Sequence, residues 1–223
     1  MQMVNGTSLF SDAEMSAVRA AVEEAEKRTS GEIVPYVVPA SDAYLNALWK
    51  GATLGALAGP LLALALHRLW DLWGTHLDLW LTAPAAAGAA AGFLLTFFVP
   101  PVKRWLAGDE MLELRTRQRA TMAFLDEEIF RTRERTGILL FLSLFEHRVV
   151  VLADSGIHKL VEPGQWDGLA DGIAKGIRAG RAKEALLEAI RSCGDLLERH
   201  GVSRRTDDVN ELPDELRRGG GPE

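Results

Sequence analysis

One cysteine in 223 residues, Cys193, leaves no disulfide to be made within the chain and no CxxC pair. A lone thiol agrees with a reducing compartment, and its place in an apolar helical register suits a buried structural residue. The sequence has no Walker loop, no HExxH and no aspartate-based phosphatase signature. Basic residues are not in excess: 25 Lys and Arg against 31 Asp and Glu give a net charge of −6, which argues against a nucleic-acid partner. Residues 1–30 contain no apolar stretch, so no cleavable signal is expected. The most informative absence is local. Between Lys50 and His67 lie 16 uncharged residues, Gly51 to Leu66, and between Asp78 and Lys103 lie 24 more, Leu79 to Val102.

A helix needs about 20 apolar residues to cross about 30 Å of hydrocarbon. The second run meets that outright. The first meets it once Leu45, Leu48 and Trp49 are counted, with Lys50 snorkelling to the headgroups. The pattern predicts a transmembrane helical hairpin over residues 45–105, with spans at about 46–66 and 79–102 and the lipid bilayer as its partner. Trp49, Trp70, Trp73, Trp80 and Trp105 then fall at the water–lipid boundary. No Asp, Glu, Lys or Arg interrupts either run, so an ion or proton pathway has no intramembrane candidate. Gly51, Gly55 and Gly59 recur every four residues, as do Gly88 and Gly92. Such small-residue faces mark either the contact within the hairpin or a dimer face, and the oligomeric state stays open. Lys50, Lys103, Arg104, Arg115 and Arg117 flank the spans, whereas the connecting loop offers only Arg68. This bias puts both termini in the cytoplasm and the loop outside.

The two flanks read as one α/β domain. Ser11-Asp12-Ala13-Glu14 forms a capping box, with Phe10 and Met15 placed for a hydrophobic staple. Met15, Val18, Val22 and Ala25 keep helical spacing, and Gly31 is a natural stop. A strand follows over Glu32 to Val38, where Pro35 suggests an edge or a bulge. Beyond the spans, a helix is expected over roughly 110–131, with Met111, Leu114, Met122, Leu125 and Ile129 facing inward. Gly137 to Leu142 is continuously apolar, as a strand covered on both faces should be. A turn at Phe145-Glu146-His147 leads to a second strand, Arg148 to Ala153. Two amphipathic helices close the domain, lined by Trp166, Leu169, Ile173 and Ile177, and by Leu186, Ile190, Cys193 and Leu197. A two-stranded hairpin is marginal alone. Residues 1–44 and 106–203 joined give about 145 residues, an ordinary domain size, and residues 204–223 read as a disordered tail.

Leu9-Phe10-Ser11, Thr29-Ser30-Gly31-Glu32-Ile33-Val34, Arg133 to Leu139, Arg148 to Ile157 and Ile177 to Arg181, in that order, resemble the TPM-domain family of bacterial membrane and plant thylakoid-lumen proteins. The resemblance implies an αβα sandwich, here split by the hairpin, in a cell inner (plasma) membrane. It implies an interaction, assembly or quality-control role toward other membrane proteins. It also implies acid-phosphatase activity and calcium binding, attributed to some members. Where members carry Asp-Asn-Gly before the first long strand, this chain has Arg135-Thr136-Gly137. That exchange removes an anion and adds a cation, so no metal ligand set and no cofactor are expected.

Asp154, Ser155 and His158 stand together at the end of what reads as a central strand, the usual place for a site in an α/β domain. Carried over from the family's phosphomonoesterase activity, Asp154 and His158 become acid–base candidates. Arg131, Arg133 and Arg135 are candidates to grip phosphate or lipid headgroups. The plain alternative is that Asp154-Ser155-Gly156 is only a turn and that the arginines face solvent or carboxylates such as Glu134 and Asp126. His147 lies about 20 Å away along the strand and should not join them.

Overall fold

The computed structural model describes residues 11–70, 77–161, 163–202, 204 and 210–221. The elements along the chain are α1 (Asp12–Glu26), β1 (Glu32–Val38), α2 (Leu45–Trp70), α3 (Leu77–Phe98), α4 (Pro100–Ala107), α5 (Asp109–Asp126), β2 (Gly137–Ser143), β3 (Arg148–Ala153), α6 (Ser155–His158), α7 (Pro163–Arg178), α8 (Ala182–Arg199) and β4 (Arg217–Arg218). They form two compact units, one from Ala43–Leu112 and one from Gln2–Asp42 together with Glu113–Glu223.

The second unit is a mixed α/β fold with a four-stranded sheet of order β3-β2-β1-β4. β1 and β2 are parallel, with Glu32 opposite Gly137, and β3 is antiparallel to β2. Every residue of β1 and β2 is buried, because the sheet is covered on both faces. Ile33, Val37, Ile138, Leu140 and Leu142 meet Val18, Val22, Ile173, Ile190 and Leu197 from α1, α7 and α8. The alternate residues Val34, Tyr36, Val38, Leu139 and Phe141 meet Ala120 and Ala123 of α5 with Ile129 and Leu212. The strict alternation between two cores is why these strands read as unbroken apolar runs.

The capping box at α1 is present: Glu14 N donates to Ser11 Oγ at 3.4 Å, and Ser11 N donates to the Glu14 carboxylate at 2.8 Å. Phe10, the other half of the expected staple, lies outside the described residues. α7 and α8 stop where glycines adopt positive φ, Gly180 at 72° and Gly201 at 80°. Gly31 has a different reason to be glycine, since a Cβ there would sit 2.6 Å from Leu197 Cδ1.

Four sequence expectations are corrected in this unit. The inward face of α5 is Thr116, Ala120 and Ala123, whereas Leu114, Met122 and Leu125 are 49%, 57% and 53% exposed. Small residues of this helix meet Val34, Tyr36, Leu139 and Phe141 of the sheet, and its larger ones point outward. Asp154-Ser155-Gly156 opens a helical turn, α6, with Asp154 as its N-cap. The segment after Arg204 is structured over residues 210–221 and supplies β4, while Asp207 and Asp208 lie outside the described residues. Finally, β1 is not an edge strand. Val37 O accepts from Gly219 N, so residues 33, 35 and 37 turn their backbone groups toward β4. On that side Ile33 N–H is taken by the Glu26 carboxyl at 2.8 Å, and Pro35 has none to give. Pairing with β4 therefore begins only opposite Tyr36.

In the other unit, α2 and α3 run antiparallel and touch through glycine. A Cβ on Gly55 would lie 2.0 Å from Gly88 O, one on Gly59 2.0 Å from Pro84 O, and one on Gly92 2.1 Å from Gly51 O. The glycine faces thus meet within the chain. Leu45–Leu69 and Leu79–Phe98 are long and apolar enough to cross a membrane. α3 stops at Phe98, short of the expected Val102, because Pro100 and Pro101 begin the separate helix α4. Trp73 and the rest of the 71–76 connection lie outside the described residues.

Candidate functional site

Three segments converge where β1 and β2 begin and β3 ends. Thr136 Oγ1 donates to Ser30 O at 2.8 Å, and Thr136 N donates to Thr132 Oγ1 at 2.8 Å. Thr29 Oγ1 donates to Val202 O at 2.6 Å and accepts from Gly31 N. Gly156 N donates to Arg135 O at 3.0 Å, and a Cβ on Gly156 would meet Glu134 O at 2.2 Å. Only glycine permits this approach of α6 to the 134–135 turn. Arg135 itself sits at φ 58°.

This corner brings Asp154 and Arg135 together. Asp154 Oδ1 accepts from Ser155 N at 2.6 Å. Its Oδ2 is buried, has no hydrogen-bond partner among the described residues and lies 3.5 Å from Arg135 Nη1. The Arg135 guanidinium also stacks over the Phe130 ring at 5.7 Å and donates to Phe130 O. His158 is exposed one turn beyond Asp154. Arg131 pairs instead with Glu128 at 2.6 Å, and the backbone N–H of Arg133 donates to Glu211. Carboxylates thus face Arg131 and Arg135, through Glu128 and Asp154. β3 is the outer strand of the sheet, so Asp154 does not end a central strand, and it lies at the N-terminal rather than C-terminal ends of the parallel pair. An aspartate that caps a helical turn and neutralises one arginine is arranged to hold a corner rigid.

Beside it lies a pocket of about 250 Å³ lined by Glu26, Thr29, Glu32, Asn210 and Asp214, with Lys27 and Arg204 among its cations. Sequence reasoning did not find it. Glu32 is buried, and its two oxygens accept from Glu211 N and Leu212 N at 3.2 Å each. Burial, with Glu211 and Asp214 nearby, outweighs those two donors and pushes its carboxyl up to about 7. Glu26 is raised further, to about 9, by burial first and then by the neighbouring carboxyls of Glu32 and Asp214, against the opposing donation from Ile33 N–H. Asp214 Oδ1 also accepts from Asn210 Nδ2 at 2.6 Å. These contacts fasten residues 210–218 along β1, with Arg217 closing on Glu127 at 2.6 Å. The available signals were an acid at the head of an apolar strand and Asp214 between Leu212 and Leu216. Among the described residues, no three His, Cys, Asp or Glu side chains come together to hold a metal ion.

At the opposite end of the sheet, Ser41 Oγ and Ser143 Oγ are 2.7 Å apart, and Ser143 donates to Glu146. The same Glu146 accepts from Ser41 N at 2.8 Å, so the loops after β1 and β2 are tied together. Cys193 is fully buried, and burial with Glu26 nearby pushes its thiol up to about 12, which leaves it inert as a nucleophile.

Neither a family model nor a curated protein matches the chain. Among solved structures it is similar to the NMR structure of the BA42 protein from the psychrophilic bacterium Bizionia argentinensis, with a TM-score of 0.57 and 18% identity. The match covers 94% of this chain and 95% of that one. At that identity the likeness is one of fold.

Proposed function

We propose that the chain is a membrane-anchored interaction module. In this reading α2 and α3 form a hairpin across the cell inner membrane, inserted into an αβα domain of TPM type. The termini and the domain face the cytoplasm, where the domain holds or helps assemble other membrane proteins. The observation that carries the reading is where the large apolar side chains lie. Leu54, Leu57, Leu61, Leu62, Leu64, Leu94 and Leu95 are all more than half exposed on the two long helices. Water does not favour such a surface, and lipid does. A second apolar stripe, Leu114, Met122 and Leu125, runs along the outside of α5 with Arg115 and Arg117 also exposed. That composition suits a protein partner. A photo-crosslinking residue at Met122 in native membranes should capture the same membrane proteins repeatedly, and one at Glu188 should not. Capture of abundant bystanders alone from both positions would remove the interaction reading.

Weak phosphomonoesterase activity is the second reading, resting on the buried Asp154 Oδ2 that pairs with Arg135 but accepts no hydrogen bond among the described residues. Arg135 is already matched by that carboxylate, so the charge needed to hold a phosphate dianion is reduced and the first reading is favoured. Turnover of a generic aryl phosphate, lost in Asp154→Asn, would support the enzyme. No turnover by the native chain eliminates it.

A further inference from the structure

The expected second span runs to Val102, into the first residues of α4, and the geometry of α4 sets it apart. A Cβ on Gly51 would touch Thr96 and Gly92, so Lys50 lies level with about residue 95 of α3. Had α3 continued straight, Leu106 would stand about 16 Å further along the axis, at 1.5 Å per residue. No lysine side chain spans that gap. Yet Lys50 Nζ donates to Leu106 O at 2.9 Å. The chain therefore breaks at Val99, which is extended at φ −111° and ψ 92°, and α4 turns across the end of the α2–α3 pair. It packs on both helices.

The faces of α4 differ sharply. Ala107 is buried and Val102 and Leu106 are half-buried, whereas Pro100 and Pro101 are exposed and Trp105 is 76% exposed. Trp49, at the start of α2, is 68% exposed at the same end. At that end Lys50 is exposed next to Trp49 in the chain, while Lys103 and Arg104, half-buried, precede Trp105 on α4. Gly108, at φ 86°, turns the chain before the acids Asp109 and Glu110 begin the next helix. Two exposed indoles with three cations at one end of an apolar helix pair match one environment, the headgroup layer of an anionic bilayer.

The geometry points to α4 as an in-plane interfacial helix that binds anionic phospholipid headgroups through Lys50, Lys103 and Arg104, with Trp105 at the acyl boundary. The inference rests on the membrane-hairpin reading above. It assigns to α4 a lipid preference that a simple pair of spans would lack.

The test uses the full chain in nanodiscs of phosphatidylcholine with or without phosphatidylglycerol. Spin-labelled phosphatidylglycerol should associate more tightly than spin-labelled phosphatidylcholine, by roughly fivefold per cation engaged. Lys103→Gln with Arg104→Gln should reduce that preference, as should high salt. In a Cys193→Ala background, a nitroxide at Trp105→Cys should report headgroup depth and one at Leu61→Cys should report hydrocarbon. No preference for the anionic lipid, or a Trp105→Cys label in bulk water while the Leu61→Cys label is in lipid, overturns the α4 inference and leaves the hairpin standing. A Leu61→Cys label in water overturns both.

Discussion

Gly55 and Leu140 each sit at the middle of a packed contact, yet they hold it by opposite means. Between α2 and α3 the contact is backbone against backbone at Gly51, Gly55, Gly59, Gly88 and Gly92, and the leucines lie outside. In the α/β unit Leu139, Leu140, Phe141 and Leu142 are fully buried, and apart from a few apolar side chains such as those outside α5 the surface is polar. Removing apolar area from water drives the second arrangement. That force vanishes where the surroundings are themselves apolar, and close van der Waals approach decides the contact instead. On the membrane-hairpin reading proposed above, one chain has sorted its residues for two solvents.

Gly55→Leu should break this comparison most severely. Its Cβ would lie 2.0 Å from Gly88 O and 2.7 Å from Gly88 C, backbone atoms that cannot rotate away. Overpacking of a yielding core costs about 1–3 kcal/mol, and here nothing yields. Spin labels at Leu54→Cys and Leu94→Cys should move apart in the variant, while the α/β unit melts as before. An unchanged label distance would mean the helices do not depend on this approach.

Leu140→Ala comes next, at about 2–5 kcal/mol, because a fully buried leucine leaves a cavity as well as losing its transfer energy. Thermal unfolding of the full chain in detergent should show the α/β transition shifted down, with the helicity of α2 and α3 retained. A loss below about 1 kcal/mol would show that the two cores are loosely packed.

A smaller effect follows from Glu26 and Glu32, whose folded values of about 9 and about 7 lie above the ordinary carboxylate value of 4.5. Both groups are protonated more readily folded than unfolded. Their contribution is complete below pH about 4.5 and is lost as pH rises toward 7 for Glu32 and 9 for Glu26, at up to about 1.4 kcal/mol per pH unit for each group. Glu26→Gln keeps an acceptor for Ile33 N–H and removes the charge. It should flatten the loss of melting temperature between pH 6 and 9. The segment 210–218, which faces Glu26 and Glu32 through Asp214, should become protease-sensitive in the native chain as pH rises. An identical pH slope in both proteins would place the buried proton elsewhere.

The elements that were legible in the sequence are those whose partners are close in the chain or identical in kind. The capping box needs only Ser11 and Glu14, and the double-sided burial of β2 shows in its unbroken apolar run. On α5 the spacing of large apolar residues points Leu114, Met122 and Leu125 inward, whereas Thr116, Ala120 and Ala123 take that face and only Ile129, just past the helix end, is buried as expected. Nothing local reveals that the sheet face beside α5 is already filled by Tyr36 and Phe141, leaving room for alanine. The carboxylate pocket escaped for a related reason. Glu32 meets Glu211 and Leu212 across about 180 residues, and a polar tail carries no sign that Leu212 and Leu216 will be buried. Asp154 and Arg135 were both named, but the strand order that makes β3 an edge is a long-range property.

Leu61→Ala should have the smallest effect and gives the comparison its cleanest control. Leu61 is 68% exposed, against a fully buried Leu140, and the substitution is the same. In lipid the lost methyl groups exchange one apolar neighbour for another, so the hydrophobic term that penalises Leu140→Ala is absent. In water an exposed leucine would likewise change stability by only about 0.5 kcal/mol. Titration of the anchor with SDS in mixed micelles should therefore give overlapping curves for Leu61→Ala and the native chain. A loss of about 2 kcal/mol or more would demand that other protein atoms cover Leu61. The glycine faces of α2 and α3 already meet each other, so those atoms would belong to another chain, and the anchor would be an assembly interface as well as a membrane tether.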